Sequence, residues 1–262
     1  MYIDKDEVFK QLNKREDKMF MSKVLDQALL SFKYHEVRFT DFLDPYRRQL
    51  VKRTLQGYLE GDMHCFGGYQ ESERSIITFS PEYIDIQDII YPITVLEVHC
   101  HNISKLSHRD FLGAILNLGI KREKIGDILI NEQNCLLFCM ADIKDFILYN
   151  LEKVANQNVS IKGKTLTEIT LPEKKFKLMQ VTVPSMRLDA LLSSAIGESR
   201  SKALTYISAE KVHINWEPAK SCSQQLQLGD TLSIKGKGRI IIDEVGNVTR
   251  KGRIHVTMKK LI

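Results

Sequence analysis

The sequence predicts an α+β protein built from a helical segment, a segment of alternating strands and helices, and a small domain of two short helices plus strands. Apolar residues recur mainly at helical spacing in residues 1–80, whereas strand and helix patterns alternate in residues 81–175. Residues 181–262 combine two short helical stripes with several strands. With 43% hydrophobic residues, the 262-residue chain has enough apolar content for more than one core. We therefore expect three domains with these boundaries.

The first segment is expected to be a mainly helical N-terminal domain. Asp44 and Pro45 predict a helix start, because aspartate caps a helix and proline suits its first position. That helix is expected to run to about Leu59 and to end at Gly61. Helical spacing predicts two earlier helices from these apolar residues: Val8, Phe9, Leu12, Met19, Phe20, Val24 and Leu25. Two short strands are expected to pair across a turn: 65–69 and 75–79.

The middle segment carries the order β-α-β-β-α-β. Ser107 and Asp110 form a capping-box pattern at the start of its first helix, and Gly119 ends that helix. Asp142 is expected to cap the second helix, which runs to about Ala155. The four strands are predicted at 93–98, 125–130, 135–140 and 159–161.

This order is the split unit of ferredoxin-like folds and of RNA recognition motifs. RNA recognition motifs stack bases on aromatic side chains of their central strands. Here the third strand offers only Phe138, and the first strand offers no aromatic residue. We therefore expect a familiar topology without a stacking platform.

Residues 187–243 form the most specific pattern in the chain. Apolar residues at helical spacing from Leu188 to Ile196 predict a short helix, which Gly197 ends. Ser199 is a good cap for a second helix. The first turn of that helix then contains two hydroxyls and two cations: Ser199, Arg200, Ser201 and Lys202.

Unpaired backbone N–H groups and the positive end of the helix dipole favour an anion at such a turn. The pattern therefore predicts a phosphate clamp; the alternative is an ordinary capped helix with solvated charges. A strand with one polar face follows, because Val212 and Ile214 alternate with Lys211, His213 and Asn215.

The distribution of charge supports a polyanionic partner for the last third of the chain. Residues 181–262 contain 13 Lys and Arg against 7 Asp and Glu, whereas residues 1–180 contain 25 against 26. The whole positive excess of the chain, which is +5, thus lies in the last segment.

The segment resembles the RNA-binding domain first seen in ribosomal protein S-four. In that family the starts of the two helices and the following strand form the RNA face. Two positions depart from the family, because Glu210 and Trp216 stand where glycine is usual, and glycine adopts a positive φ more easily. The resemblance implies that these residues bind RNA: Arg187, Ser199, Arg200, Ser201, Lys202, Lys211, His213 and Asn215.

Nearly the whole chain resembles the YlmH family. The resemblance rests on four motifs: SHRDFLGA at 107–114, KREKIGDI at 121–128, VHINW at 212–216 and GKGR at 236–239. It implies an N-terminal domain, an RNA-recognition-like middle domain and a C-terminal S-four domain. It also implies association with the large ribosomal subunit carrying tRNA, in the rescue of stalled translation, with a link to cell division. Structured rRNA and tRNA are the expected partners.

The middle segment offers an auxiliary RNA contact in its exposed basic residues. His108 and Asp110 also suggest acid–base chemistry, but a helix cap explains them better. The basic residues expected to reach a phosphate backbone are Arg109, Lys121, Arg122 and Lys124.

Several other classes of function are disfavoured. The charged start of the chain is unlike a signal peptide, and no apolar run approaches membrane-spanning length. The five cysteines are odd in number and scattered, without zinc-site or redox spacing. We expect a cytoplasmic monomer with no membrane contact, no cofactor, no metal site and no catalytic residue.

An RNA-modifying enzyme is the main alternative. Pseudouridine synthases pair an S-four module with a catalytic domain, and Arg187-Leu188-Asp189 resembles part of their nucleophile motif. However, Asp189 lies within the binding module, Met186 stands where the motif has glycine before Arg187, and only 19 residues follow Asp243. A division-site protein scaffold is a third hypothesis, and it leaves the phosphate clamp unexplained. The sequence thus favours a non-enzymatic protein that binds structured RNA.

Overall fold

The computed structural model describes residues 4–58, 63–173 and 176–261, which form two compact units divided between Pro172 and Glu173. The predicted mixed α+β class is confirmed. Within the described residues, no helix combines the length and the apolar character needed to cross a membrane.

The first unit begins with helices and a small sheet. Asp44 caps α3, since its carboxylate accepts a hydrogen bond of 2.8 Å from the backbone N–H of Arg47. This helix ends at Leu55, earlier than predicted, and the predicted end residues Leu59 and Gly61 lie outside the described part of the chain. The elements are α1 (Lys5–Lys10), α2 (Arg15–Tyr34), β1 (Arg38–Phe39), α3 (Pro45–Leu55), β2 (His64–Phe66) and β3 (Ile76–Phe79).

The small sheet has the order β1-β3-β2, and both of its pairings are antiparallel. The predicted pairing of two short strands is confirmed, because His64 lies opposite Thr78 and Phe66 opposite Ile76. The helices pack against this sheet through a buried apolar cluster that includes Val8, Met21, Leu25, Val51, Leu55 and Ile77.

A four-stranded antiparallel sheet follows in the same unit. Its strand order is β5-β6-β4-β9, with two helices in the connections. Ser107 and Asp110 form the predicted capping box, in which the Asp110 carboxylate accepts a hydrogen bond of 2.8 Å from the Ser107 N–H. The elements are β4 (Ile93–His99), α4 (His108–Asn117), β5 (Ile125–Ile130), β6 (Cys135–Met140), α5 (Lys144–Asn150), β7 (Lys153–Val154), β8 (Gln157–Asn158) and β9 (Ser160–Lys164).

The second helix of this region differs from the prediction. Asp142 does not cap it, because Asp142 lies inside a short 3-10 helix, Ala141–Ile143, that precedes α5. The helix ends at Asn150, and the chain then forms the two-stranded hairpin β7–β8, with Ala155 at φ +52° in its turn. The hairpin places Val154 fully inside the core beneath the helices, and this burial explains the early end of α5.

The face of the four-stranded sheet that faces away from its helices is covered by the preceding part of the same unit. Phe138 is fully buried there, and its ring centroid lies 5.1 Å from that of Tyr69. The packing is close, because a Cβ added to Gly126 would lie 2.7 Å from the ring of Phe42. Base stacking on Phe138 is thus blocked by protein.

A buried polar group reinforces this contact. The Asp127 carboxylate accepts hydrogen bonds from the Tyr69 hydroxyl at 2.7 Å and from the backbone N–H groups of Glu73 and Arg74 at 2.7 and 3.0 Å. Burial, together with Asp127, raises the pKa of Tyr69, so the phenol stays protonated and keeps donating. The three donors lie in the segment 69–74, and the acceptor lies in β5. These hydrogen bonds therefore fix the position of that segment along the strand.

The second unit is a six-stranded sheet with two short helices. Its strand order is β10-β15-β14-β13-β11-β12, and neighbouring strands are antiparallel. Its core includes Leu188, Leu191, Leu192, Ala203, Val212 and Leu232. The elements are β10 (Phe176–Val183), α6 (Leu188–Ile196), α7 (Arg200–Ser208), β11 (Val212–Ile214), β12 (Glu217–Pro218), β13 (Thr231–Ile234), β14 (Gly238–Val248) and β15 (Ile254–Leu261).

Candidate nucleic-acid interface

The start of α7 has the geometry expected of a capped helix. The Ser199 hydroxyl accepts a hydrogen bond of 3.3 Å from the backbone N–H of Lys202, and its oxygen lies 2.9 Å from that of Ser201. Lys202 is exposed. The cap fixes the first turn, so its remaining N–H groups and the Lys202 ammonium are available to one anion.

Asp189 connects the start of α6 to the start of α7. Its side chain is only 3% exposed, and its carboxylate accepts hydrogen bonds from Arg187 at 3.0 and 3.2 Å and from Arg200 at 2.7 Å. The hydrogen bonds from Arg187 lower the pKa of the Asp189 carboxyl; burial opposes this shift, and Arg200 adds to it. One buried anion thus holds two guanidinium groups side by side.

Sequence reasoning placed both arginines on the binding face but missed this role of Asp189. The Arg200 side chain is 53% exposed and that of Arg187 is 35% exposed, so both retain donors that face solvent. The signal in the sequence was the acid two residues after Arg187, which we considered only as an enzyme's nucleophile.

Strand β11 presents its polar side chains on one face, as the alternation predicted. Val212 and Ile214 are buried, while Lys211 and His213 point away from the core. The Lys211 ammonium lies 6.0 Å from the centre of the Tyr206 ring, which connects this strand to α7. The helix starts and β11 therefore belong to the same compact unit.

The side chain of Asn215 is engaged within the S-four unit. Its side-chain amide donates a hydrogen bond of 2.7 Å to Asp230, and its carbonyl oxygen accepts one of 2.9 Å from the backbone N–H of Thr231. Both heteroatoms therefore hold the end of β11 against the start of β13. Sequence reasoning did not assign this role in the turn to Asn215.

Both residues that stand where the S-four family usually has glycine adopt a positive φ. Glu210 has φ +53° and Trp216 has φ +68°, and Asn215 between them has φ +48°. These left-handed conformations are costly for residues other than glycine, and they persist because the surrounding structure determines them. The turns on both sides of β11 thus contain left-handed residues that are not glycine.

Two of the four residues predicted to make an auxiliary RNA contact have partners within the first unit. The Arg122 guanidinium donates to the backbone carbonyls of Ile125 at 2.6 Å and Gly126 at 3.3 Å, and burial lowers its pKa. Lys124 lies between two carboxylates, Asp41 at 3.0 Å and Asp142 at 2.9 Å. These two cations stabilise the fold of their own unit. The other two, Arg109 and Lys121, are exposed.

No group of three or more His, Cys, Asp or Glu side chains within residues 4–58, 63–173 and 176–261 is arranged to hold a metal ion. The buried thiols of Cys135 and Cys139 are held protonated, because burial raises their pKa values.

The capped helix, the paired arginines and the polar strand define an RNA-binding protein with an S-four domain. Family models support this class. One described as "S4 domain" matches residues 186–232, one described as "Putative RNA-binding domain in YlmH" matches 87–168, and one described as "YlmH, N-terminal" matches 16–84. The chain belongs to the YlmH family.

Two known proteins are similar to this chain. A Bacillus subtilis (strain 168) protein named ribosome-associated protein quality control protein P2 is 29% identical over 248 residues, which cover 94% of this chain and 96% of that protein. A solved structure named cell division protein ylmH from Streptococcus pneumoniae is 24% identical, with a TM-score of 0.48, and the match covers 60% of this chain and 96% of that one.

Proposed function

We propose that this protein binds structured rRNA or tRNA through its S-four domain, on the large ribosomal subunit, and acts in ribosome-associated quality control without catalysing a reaction. The observation that carries the proposal is the pairing of Arg187 and Arg200 on the buried carboxylate of Asp189. This pairing orders two cations beside a capped helix start.

Such an arrangement suits a phosphate of a folded RNA. Guanidinium groups bind phosphate oxygens through two parallel hydrogen bonds, and such bonds are stronger than neutral ones. Because Asp189 already fixes both side chains, little rotamer entropy is lost when the phosphate binds. Ser199, Ser201 and Lys202 add hydroxyl and ammonium donors at the same turn.

The strand order of the middle region supports an RNA-recognition-like fold for residues 81–175, between a helical domain at 1–80 and the S-four domain at 181–262. Since its sheet face is covered by the N-terminal elements, this fold does not bind RNA by base stacking on Phe138. The S-four face is therefore the principal RNA contact.

The assignment to ribosome-associated quality control is supported by the name of the Bacillus subtilis relative, which aligns along 94% of this chain. It agrees with the excess of positive charge in the last third of the sequence, since ribosomal RNA is a dense polyanion.

A pseudouridine synthase fits the geometry poorly. A nucleophilic carboxylate must reach the substrate base, whereas the Asp189 side chain is 3% exposed and is bound by two arginines. We therefore assign Asp189 to positioning and not to bond formation.

Crosslinking in cells tests the proposal directly. RNA that is crosslinked to the full-length protein and sequenced should be enriched in large-subunit rRNA and tRNA, and the Arg200→Ala/Lys202→Ala variant should lose that enrichment. Mass spectrometry of RNA incubated with the purified protein should reveal no modified nucleoside. Pseudouridine that disappears in the Asp189→Asn variant would establish the enzyme instead.

A further inference from the structure

The turn between β13 and β14 is a second concentration of positive charge in the S-four unit. Lys235 and Lys237 lie in this turn, and Arg239 follows at the start of β14. The turn is outside the residues, 186–232, that the S-four family model matches. It also contains the GKGR motif, to which the proposed function assigns no role.

The backbone of this turn is tight and open to solvent. The Lys237 N–H donates to the Ile234 carbonyl at 3.0 Å, and Gly236 and Gly238 have φ values of +81° and +93°, which glycine adopts readily. A Cβ added at Gly236 would meet no atom within 4 Å. Lys235 is exposed at the tip, while its backbone N–H donates to the Lys211 carbonyl at 2.9 Å. The tip is thus anchored to β11 and accessible.

An ion pair joins the turn to the start of α7. The Lys237 ammonium lies 2.8 Å from the Glu198 carboxylate, and this hydrogen bond raises the pKa of Lys237. Glu198 directly precedes the helix cap Ser199. An unpaired carboxylate at that position would repel a phosphate bound at the first turn, and Lys237 neutralises it.

The strands next to the turn continue the same surface. His213 of β11 lies opposite Ser233 of β13, which lies opposite Arg239 of β14. The neighbouring residues on the other face, Val212 and Ile234, are buried in the core. His213, Ser233 and Arg239 form a polar row that extends from β11 to the base of the turn.

We propose that the turn at 235–239 is a second phosphate-binding arm, which contacts the RNA backbone beside the phosphate held at the start of α7. Lys235 contacts a phosphate from the tip, and Lys237 cancels the repulsion from Glu198. RNA is favoured over an acidic protein because the ion pair makes the arm continuous with the proposed RNA site. The inference rests on the proposed function.

Salt titrations of binding to purified large-subunit rRNA test the arm with full-length protein. Each phosphate contact releases counterions, so Lys235→Ala should flatten the log–log slope by about 0.7 to 0.9. Lys237→Ala should weaken binding more than Lys235→Ala, because it leaves Glu198 unpaired. Adding Glu198→Gln to Lys237→Ala should restore affinity to near the wild-type level, because the carboxylate is gone and Lys235 still contacts its phosphate.

Lys251→Ala is a matched control. Lys251 is exposed in the turn at the opposite end of β14, and the 11 residues of that strand place it roughly 35 Å away at about 3.3 Å per residue. This variant should bind as the wild type does. Melting temperatures of all variants should stay close to the wild-type value, since surface substitutions change stability little.

The outcomes distinguish a failure of the proposed arm from a failure of the proposed function. Wild-type protein that does not bind rRNA, or binding that is indifferent to Arg200→Ala and Lys202→Ala, contradicts the proposed function. If those two variants weaken binding while Lys235→Ala and Lys237→Ala match the wild type, the arm alone is wrong. Normal binding of both turn variants to naked rRNA, with weak binding to whole subunits, would show that the turn contacts protein.

Discussion

The guanidinium of Arg200 lies 2.7 Å from the buried carboxylate of Asp189, eleven residues earlier in the chain. Because Asp189 is in the first turn of α6 and Arg200 is the first residue of α7, this ion pair fixes the two helix starts relative to each other. Arg187 binds the same carboxylate. The proposed RNA-binding face of the S-four domain therefore depends on an acidic residue that need not contact RNA.

Replacing Asp189 with asparagine should lower both stability and RNA affinity. The change removes a charge that accepts three hydrogen bonds, and hydrogen bonds to charged groups contribute about 1.5 to 3 kcal/mol. Solvent screening of the two exposed arginines reduces the loss, so we expect about 1 to 2 kcal/mol. Urea unfolding can be followed by the fluorescence of the single tryptophan, Trp216, which lies in this unit.

Asp243→Asn is the control, because it breaks a more exposed ion pair in the same unit, with Lys259 at 2.6 Å. Such surface pairs contribute about 0 to 1 kcal/mol. Equal losses for Asp189→Asn and Asp243→Asn would show that the buried carboxylate has no special role.

The stability difference between the wild type and Asp189→Asn should depend on pH. Since the folded protein lowers the pKa of Asp189, the charged form stabilises the fold above the ordinary value of 3.8. That contribution is lost as pH falls through the lower, folded-state value. The two proteins should thus differ most near neutral pH, and the difference should shrink as the pH falls below 3.8 and through the lower folded-state pKa of Asp189. A difference that stays constant over this whole range would contradict the ion pairs.

Phe138→Leu should affect stability and not RNA binding. The ring is fully buried against Tyr69 and Phe42, where a smaller apolar side chain costs roughly 1 kcal/mol. Thermal melting measures the first effect, and a binding titration with rRNA measures the second. A variant with wild-type stability but reduced affinity would reveal a stacking surface on this sheet.

Charge reversal at Arg122 should destabilise the first unit. Arg122→Glu removes hydrogen bonds to the carbonyls of Ile125 and Gly126 and brings a carboxylate close to them, a change expected to cost about 1 to 3 kcal/mol. Lys121→Glu, at an exposed neighbouring position, should change stability by less than about 0.5 kcal/mol. Similar melting temperatures for these two variants would show that the hydrogen bonds of Arg122 do not stabilise the first unit.

The sequence predicted well those elements that local chemistry determines. Strands β5 and β6 have the predicted bounds, because polar turns flank both segments and β6 is a continuous apolar run. The helix starts at Asp44, Ser107 and Ser199 were predicted correctly, since caps act within one turn.

Features that depend on distant parts of the chain were missed. Helix α5 ends early because Val154, which follows it, packs in a core formed by other elements. Arg200, the second partner of Asp189, and both partners of Asn215 are eleven or more residues away in the chain, and no local pattern indicates these contacts. The same holds for Glu198 and Lys237, which are 39 residues apart. The sequence thus predicted which residues belong to the candidate binding face, but it did not predict the hydrogen bonds and ion pairs that connect them.

The most direct test of the central claim is a salt titration of rRNA binding by the wild type, Lys202→Ala, Arg200→Ala and the double variant, with Lys251→Ala as control. If both cations contact phosphates, the double variant should flatten the log–log slope by about 1.5, and each single variant by about half of that. Trp216 fluorescence should confirm that the S-four unit remains folded. If folded variants give log–log plots of affinity against salt that are parallel to the wild-type plot, the start of α7 is only a capped helix and does not bind RNA.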